Sequence, residues 1–248
     1  MKLESVHATV GEIPHMTFEQ ARKISYFINH HRLTDILELG FRYGVSTCYL
    51  AATLQDMGSV HITTIDLELV RDQQPNIQQL LNKCKLTSYV DIFFEPTSYN
   101  WRMMKFLEED PTPRFDLCYL DGAHDWFVDG FAFFLVDKLL RPGGWIIFDD
   151  LNWTYAQSPA LRNSPKVKSM PVEEQITPQM RKVYELLVKP HPDYNDFMVD
   201  GDWAYAHKVS DISTRASRNI VREVVVQKEE VGFGAALLRA FRKFRNYT

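Results

Sequence analysis

Two short stretches of the sequence carry side chains that could bind a metal ion and move a proton. They are Asp121-Gly-Ala-His124 and Asp149-Asp150-Leu-Asn152, which together hold three carboxylates, one imidazole and one amide. Carboxylates placed close together raise one another's pKa and repel unless a cation compensates them. Oxygen-rich groups of this kind suit Mg²⁺ or Mn²⁺ better than zinc. We therefore predict a metal site formed by Asp121, Asp149 and Asp150, and leave open whether Asn152 also binds the ion.

His124 could serve this site as a general base, because an imidazole with a pKa near neutrality accepts a proton readily. Each residue also has a simpler interpretation. A single histidine at a helix start is more often a cap or a surface residue, and an acidic pair often caps a turn. The combination of the two stretches favours the metal site.

A glycine-bearing loop lies upstream, within Thr34-Asp-Ile-Leu-Glu-Leu-Gly-Phe-Arg-Tyr-Gly-Val-Ser-Thr47. A short apolar strand leads to Gly40 and Gly44, and helical spacing starts at Ser46. This arrangement presents a ligand to a helix N-terminus, and glycine lets the backbone approach that ligand closely. The phosphate fingerprint G-x-G-x-x-G is absent, because Arg42 occupies its second glycine position. The loop therefore indicates a nucleotide-type ligand that is not held by a pyrophosphate.

Strands and helices alternate around these residues. The pattern predicts strands at 35–38, 60–66, 89–94, 115–121 and 145–149, separated by helices. Such alternation predicts an α/β fold with a mostly parallel sheet covered by helices on both faces. Ligands of open α/β sheets bind beyond the carboxyl ends of the strands. Four of the five predicted strands end in an acidic residue, which makes this edge the predicted site.

The remaining segments are less regular. Thr17-Phe-Glu-Gln20 is a capping-box pattern that starts a helix in an N-terminal helical segment, 1–33. Residues 151–190 begin with an irregular, Pro- and Ser-rich stretch, which we interpret as a lid or acceptor wall. A hairpin is predicted from 195–199 and 203–209, and a strand at 220–227. Residues 228–248 are predicted to contain a basic amphipathic helix, and 1–248 to form a single domain.

Composition limits the function classes. The chain has 248 residues, is 45% hydrophobic and carries a formal net charge of −4, which gives no reason to expect a nucleic-acid partner. No apolar run has the roughly 20 residues of a membrane span. The N-terminus lacks an apolar signal core, and three cysteines, Cys48, Cys84 and Cys118, are an odd number set in periodic segments. These features predict a cytoplasmic protein with buried thiols.

The motifs resemble those of the class I S-adenosylmethionine (SAM)-dependent methyltransferases. The resemblance covers roughly 20–150 and rests on Glu38-x-Gly40-x-x-x-Gly44, on Asp66 at the end of the second strand, and on Pro142-Gly143-Gly144 before the fifth. It implies a Rossmann-like open sheet of seven strands that ends in an antiparallel hairpin.

The same resemblance implies how SAM would be bound. Gly40 and Gly44 would approach its methionine end, Glu38 would order the loop, and Asp66 would accept hydrogen bonds from the two ribose hydroxyls. Thr97 and Ser98 would lie beside the adenine. The implied cofactor-binding residues are thus Glu38, Gly40, Gly44, Ser46, Asp66, Thr97, Ser98 and Asp121. A helix cap or turn acid is the simpler interpretation of Asp66.

The acidic stretches are similar to those of the metal-dependent O-methyltransferases of the catechol type and of the sugar and macrolide-glycoside type. There, an aspartate after the fourth strand and an acidic pair after the fifth bind Mg²⁺, and the histidine of Asp-x-x-His serves as base in the sugar branch. The resemblance implies that Asp121 and His124 are catalytic. It implies a SAM- and Mg²⁺-dependent O-methyltransferase, acting on one hydroxyl of a vicinal pair in a sugar or small natural product.

Two alternatives from other function classes stay open. The first is a Rossmann-type protein that binds NAD or another adenine nucleotide, although Arg42 and the missing third glycine disfavour it. The second is a non-catalytic protein of the same fold that acts as a binding module or forms a homo-oligomer through its basic C-terminal helix. The acid-rich strand edge disfavours this second alternative.

Overall fold

The structure, a computed structural model, describes residues 2–58 and 61–212. Its centre is a sheet with the order β3-β2-β1-β4-β5-β7-β6. The strands are β1 Asp35–Leu39, β2 His61–Leu67, β3 Val90–Glu95, β4 Phe115–Leu120, β5 Leu140–Phe148, β6 Tyr194–Asp200 and β7 Trp203–Lys208. The first five strands are parallel, and β7 is antiparallel to both β5 and β6. The predicted Rossmann-like, seven-stranded, mostly parallel sheet with a C-terminal antiparallel hairpin is confirmed.

Helices cover both faces of the sheet. They are α1 Lys2–Val10, α2 Phe18–His31, α3 Val45–Met57, α4 Ile77–Cys84, α5 Tyr99–Glu109, α6 Trp126–Leu139, α7 Pro165–Ser169, α8 Val172–Ile176 and α9 Gln179–Val183. α1, α2 and α4 contact α3, whereas α5 and α9 contact α6. Two apolar clusters result, and alternate residues of the strands point into one or the other. This burial on both faces explains the near-continuous apolar character of β4 and β5.

Local signals in the sequence explain where several helices begin. Thr17 caps α2, and its capping box with Gln20 is complete, as the pattern predicts. Asn76 and Gln79 form a second capping box at the start of α4. Because these caps satisfy backbone N–H groups that have no partner inside the helix, they locate the helix starts independently of packing.

Three elements differ from expectation. Within the predicted N-terminal helical segment, residues 2–10 form a separate helix, α1, for which the sequence shows no start signal; Leu3, Val6 and Val10 are buried by packing against the domain. β5 begins at Leu140, so the Pro-Gly-Gly turn lies within the strand rather than before it. The stretch Thr177-Pro-Gln-Met, with proline at the first helical position, predicts a helix to about Lys189, but α9 ends at Val183 and passes into a single π-helical stretch, Tyr184–Val188.

The strand predicted at 220–227 and the C-terminal helix predicted within 228–248 lie outside the described residues. Within the part of the chain that the structure describes, no helix is both long enough and apolar enough to cross a membrane.

Candidate active site

A cavity of about 430 Å³ opens at the carboxyl ends of β1, β2, β4 and β5. In the sheet order, β1 lies between β2 and β4. The chain therefore adds β2 and β3 on one side of β1, and β4 and β5 on its other side. This is the switch point at which open α/β sheets bind ligands. The lining residues come from five places along the chain and are His15, Gln20, Gly40, Phe41, Arg42, Val45, Ser46, Asp66, Leu67, Leu69, Val70, Gln73, Asp121, Gly122, His124, Asp149 and Asp150.

The glycine loop between β1 and α3 forms one wall of the cavity. Gly40 has φ 88° and Gly44 has φ 90°, which favour glycine. A Cβ atom on Gly40 would lie 2.1 Å from the carbonyl oxygen of Asp121, and one on Gly44 would lie 2.5 Å from Cγ1 of Ile77. We expected these glycines to make room for a ligand. In the structure they let the loop pack against the neighbouring β4 loop and α4, and Gly40 also lines the cavity, so their approach to a ligand stays a prediction.

Glu38 lies beneath this loop and is fully buried. Its carboxylate accepts hydrogen bonds from the hydroxyls of Ser46 (2.5 Å), Thr47 (2.5 Å) and Thr64 (2.7 Å). Burial raises the pKa of Glu38 to about 7, despite these three donors. Glu38 therefore ties β1, β2 and the start of α3 together, which agrees with the loop-ordering role that the resemblance implies.

Asp66, at the end of β2, also holds the glycine loop in place. One oxygen, Oδ2, accepts hydrogen bonds from the backbone N–H groups of Phe41 (2.9 Å) and Arg42 (2.7 Å), while Oδ1 accepts one from Leu67 (2.6 Å). The residue also lines the cavity. In this structure Asp66 positions the glycine loop, and its predicted contact with ribose hydroxyls stays a prediction.

A cluster of two carboxylates and an imidazole forms the opposite wall. Nε2 of His124 lies 3.3 Å from Oδ2 of Asp150 and 3.9 Å from Oδ1 of Asp121. Ligand atoms of these three residues all lie within 4.8 Å of one another, a spacing that suits coordination of one metal ion. The structure thus unites two of the three predicted metal ligands with the predicted base.

The third predicted ligand, Asp149, lies behind this cluster. It is buried, it accepts a hydrogen bond from the hydroxyl of Tyr119, and its Oδ1 accepts one from the N–H of Asp150 at 2.7 Å. Asp149 still contributes to the cavity wall. Its role as a direct ligand stays a prediction.

The acids of this wall are electrostatically uncompensated. Burial and the neighbouring Asp149 and Asp150 raise the pKa of Asp121 well above its ordinary value, and burial likewise raises the pKa of Asp149 and of Asp150. Among the described residues, no lysine or arginine forms an ion pair with any of the three acids. His124 is the basic side chain that lies beside Asp121 and Asp150. Because burial lowers the pKa of His124 to about 4, that imidazole is neutral at pH 7 and adds no positive charge.

The backbone at the cluster is unusual. His124 has φ 56° and Asp150 has φ 52°, so both side chains leave left-handed backbone positions that non-glycine residues seldom adopt. The ring of His124 packs on Trp153, with centroids 5.1 Å apart, and its Nδ1 is buried without a hydrogen-bond partner in the described structure. Packing rather than hydrogen bonding therefore orients this imidazole.

A buried network supports the loop that carries Asp121 and His124. Tyr99 donates a hydrogen bond to Asp129, and its oxygen accepts one from the N–H of Ala123 at 3.3 Å. Asp129 also accepts from the N–H of Asp125 at 2.9 Å. Burial raises the pKa of Asp129 to about 7. Tyr99 and Asp129 were not anticipated, because no local pattern links two residues thirty positions apart.

Several residues lie away from the cavity. Ser98 caps α5 by accepting a hydrogen bond from the N–H of Asn100 at 3.1 Å, and neither it nor Thr97 is among the described residues that line the cavity. Asn152 donates to Oδ1 of Asp202 at 2.5 Å and accepts from Arg181. In this arrangement Asn152 points toward these partners and is not part of the metal-type cluster.

Other lining residues were missed from the sequence. His15 and Gln20 come from the turn after α1 and the start of α2, and Gln73 from the stretch before α4, where its Oε1 is buried without a partner in the described structure. His15 and Gln73 lie outside the periodic segments, and none of the three residues lies at a predicted strand end. The complete capping box at Gln20 was the one available signal, and it marks a helix start rather than a site.

The segment predicted as a lid or acceptor wall, 151–190, begins directly after the acidic pair. Trp153 contacts His124, and Tyr155 packs against Trp153 with centroids 4.9 Å apart. The hydroxyl of Tyr155 donates to Asp125 at 3.4 Å. The described part of the cavity wall includes no residue of 151–190, so the lid role stays a prediction.

Comparisons with known proteins agree with this architecture. Residues 37–151 match the family model described as a methyltransferase domain. No curated protein matches the chain. Among solved structures, a Bacillus cereus O-methyltransferase in complex with SAH is 20% identical, with a TM-score of 0.56 over 84% of this chain and 90% of that one.

Two further structures have the same fold. The O-methyltransferase TomG of Streptomyces achromogenes, involved in tomaymycin synthesis and solved with SAM, is 17% identical with a TM-score of 0.59, covering 84% of this chain and 90% of that one. A Podospora anserina methyltransferase bound to SAH is 16% identical with a TM-score of 0.60, covering 84% and 88%. The fold that the resemblance implies is therefore confirmed: the chain has the fold of these O-methyltransferase structures, and its residues 37–151 match the model of a methyltransferase domain.

Proposed function

We propose that this protein transfers the methyl group of SAM to a hydroxyl oxygen of a small molecule, with the help of Mg²⁺ or Mn²⁺. The observation that carries the proposal is the single cavity in which the glycine loop and Asp66 face Asp121, His124 and Asp150. A cavity of about 430 Å³ lies within the usual range for small ligands. One wall suits the cofactor and the other suits a cation with its acceptor.

The donor set fits a hard divalent cation. It consists of carboxylate oxygens with raised pKa values and a neutral imidazole, and no lysine or arginine among the described residues neutralises it. Asp121 and Asp150 would hold the ion, and Asp149 would join them if its carboxylate turns away from Tyr119. A bound cation supplies positive charge that favours the ionised form of a hydroxyl and orients a vicinal pair.

His124 is the proposed base. In the reaction, the acceptor oxygen forms a bond to the methyl carbon while the carbon–sulfur bond breaks, and the hydroxyl proton passes to Nε2 of His124. Burial lowers the pKa of His124 to about 4, so the ring is neutral at pH 7 but is a weaker base than a free imidazole. The carboxylates of Asp121 and Asp150 beside Nε2 favour the imidazolium that forms when the proton is accepted. Its contact with Trp153 fixes the ring plane.

The acceptor class is proposed as a sugar or small natural product with vicinal hydroxyls, since two oxygens can chelate one cation and fix the attack geometry. The cavity's acidic wall disfavours an anionic acceptor. A net charge of −4 disfavours nucleic acid, and a reducing cytosol suits three buried, free cysteines.

The decisive test is calorimetric titration of SAM into metal-free protein, repeated with Mg²⁺, with NAD as the control ligand. We expect SAM to bind and NAD not to bind. Failure of SAM to bind under both conditions would overturn the proposed enzyme, and binding of NAD would favour the adenine-nucleotide alternative.

A second titration isolates the cation. Mg²⁺ should bind more weakly as the pH is lowered, because ion binding requires ionised carboxylates and the pKa values of Asp121 and Asp150 are raised. Asp150→Asn should abolish the Mg²⁺ heat, whereas the matched change Asp91→Asn, at an acid that pairs with His61 at the surface, should leave it. Unchanged Mg²⁺ binding in Asp150→Asn would exclude the proposed cation site while leaving SAM binding to be judged separately.

A further inference from the structure

The outer face of α6 is apolar, although it faces solvent. Four residues of this helix are exposed, namely Phe127, Phe131, Phe134 and Lys138. The phenylalanines are 74%, 56% and 43% exposed. Positions i, i+4, i+7 and i+11 lie on one side of a helix, so the four residues form a single stripe, the α6 stripe.

The α6 stripe is not required for the packing of α6 itself. The helix is anchored by its other side, where Phe133 and Val136 are buried. Gly130 lies so close to the next layer that a Cβ atom there would be 3.3 Å from Cδ1 of Leu187. Contiguous exposed apolar surface of this kind is uncommon and marks an interaction surface.

Charges lie at the two ends of the stripe and have opposite signs. Glu173 and Glu174 line an apolar groove together with Phe127, at the N-terminal end of α6. Lys138 lies at the C-terminal end, eleven residues or about 16 Å along the helix axis. Within the described residues, none of these three charged side chains takes part in an ion pair.

We propose that the α6 stripe binds a second copy of this chain, with the two α6 helices antiparallel about a two-fold axis near Phe131. This operator places Phe131 against its own counterpart and Phe127 against the counterpart of Phe134. It brings Lys138 to the acidic end, beside the counterparts of Glu173 and Glu174. An isologous contact is thus complementary in both shape and charge.

The first test is sedimentation of the full chain. The wild type should be a dimer, and Phe131→Asp should raise the dissociation constant by roughly 30-fold or more, as expected for a central aromatic contact. Tyr26→Asp is the matched control, because Tyr26 is 72% exposed on α2, away from the stripe, and should leave the dimer intact. Circular dichroism checks that both variants fold. A monomeric wild type, or a dimer indifferent to Phe131→Asp, would overturn the proposal.

Cross-linking tests the axis itself. Phe131→Cys should form an intermolecular disulfide under mild oxidation, whereas Lys138→Cys should not, because residue 138 meets the opposite end of the partner helix. The native cysteines are buried and do not compete. Equal cross-linking of the two variants would contradict the antiparallel geometry.

A charge exchange tests the pairing of Lys138 with the two glutamates. Lys138→Glu should weaken the dimer, and adding Glu173→Lys and Glu174→Lys to this variant should restore the affinity. No recovery would contradict the predicted pairing of charges.

Discussion

Asp116 and Asp121 lie at opposite ends of the same strand, β4, and the pKa values of their carboxyl groups shift in opposite directions. At the amino end, Asp116 accepts hydrogen bonds from Arg141 (2.7 Å) and from the hydroxyl of Thr34 (2.9 Å). At the carboxyl end, Asp121 has two further acids beside it and no arginine or lysine paired with it in the described structure. Burial acts to raise both pKa values. At Asp116 the bonds from Arg141 and Thr34 outweigh it and hold the pKa below its ordinary value, whereas at Asp121 the neighbouring acids reinforce it.

The contrast separates two uses of aspartate in one sheet. A carboxylate with a cationic partner stabilises the fold, while carboxylates that share a pocket without one cost stability until a cation arrives. The carboxyl edge therefore carries the features of a binding site, and the amino edge those of a structural brace between β1, β4 and β5.

The largest expected effect is that of Asp121→Asn. Removing this acid from the cavity should lower kcat by roughly 1,000-fold, since an electrostatic contact to the reacting centre is lost. The metal-free variant should be at least as stable as the wild type, because one member of a repulsive cluster is gone. Turnover assays and thermal unfolding in chelator measure the two effects. Full activity in this variant would remove Asp121 from the catalytic machinery.

His124→Ala comes next. We expect kcat to fall by roughly 100-fold, the lower end for loss of a general base, with little change in SAM affinity. His61→Ala is the control, because His61 pairs with Asp91 at the surface. Mg²⁺ titration separates two roles: a base leaves the Mg²⁺ affinity of the variant intact, whereas a ligand would take it away with the activity.

Glu38→Gln tests the carboxyl edge through stability. Because the folded pKa of Glu38 is raised to about 7, its contribution to stability is present below its ordinary value of 4.5 and is lost as the pH rises through about 7. The variant has no ionisable carboxyl group at this position, so its stability does not fall with pH for this reason. Relative to the wild type, its free energy of unfolding should therefore increase by roughly 1–3 kcal/mol between pH 5 and pH 8, as measured by denaturant titration. Parallel pH profiles would contradict the raised pKa.

Asp116→Asn should give the smallest effect and the opposite sign. Its folded pKa is lowered, so its contribution is present above the ordinary value of 3.8 and is lost as the pH falls through the folded pKa. Near pH 7 the variant should lose about 1 kcal/mol of stability, because Arg141 is partly exposed and solvent screens the pair. Activity should be unchanged. A loss of turnover comparable with that of Asp121→Asn would erase the distinction between the two edges.

Much of the fold followed from local signals. The alternation of apolar strands and helices predicts a parallel sheet, and the capping box at Thr17 locates a helix start without any packing information. The bounds of α1 within the predicted helical segment were not predicted, because its three buried residues become informative only when the surface that covers them is known. The strand order has no local signal, since it depends on which side of the sheet each connection takes.

The candidate site shows the same division. The pattern of strands and turns predicts that acids end the strands, and parallel strands end at one edge. These acids are Glu38, Asp66, Asp121, Asp149 and Asp150. Their partners depend on how the chain folds in space. In the folded chain, Asp149 accepts a hydrogen bond from Tyr119, and His124 lies beside Asp121 and Asp150. Asp66 accepts hydrogen bonds from the backbone of the glycine loop. These choices depend on strand order and on left-handed backbone positions held by distant packing, which periodicity along the chain does not encode.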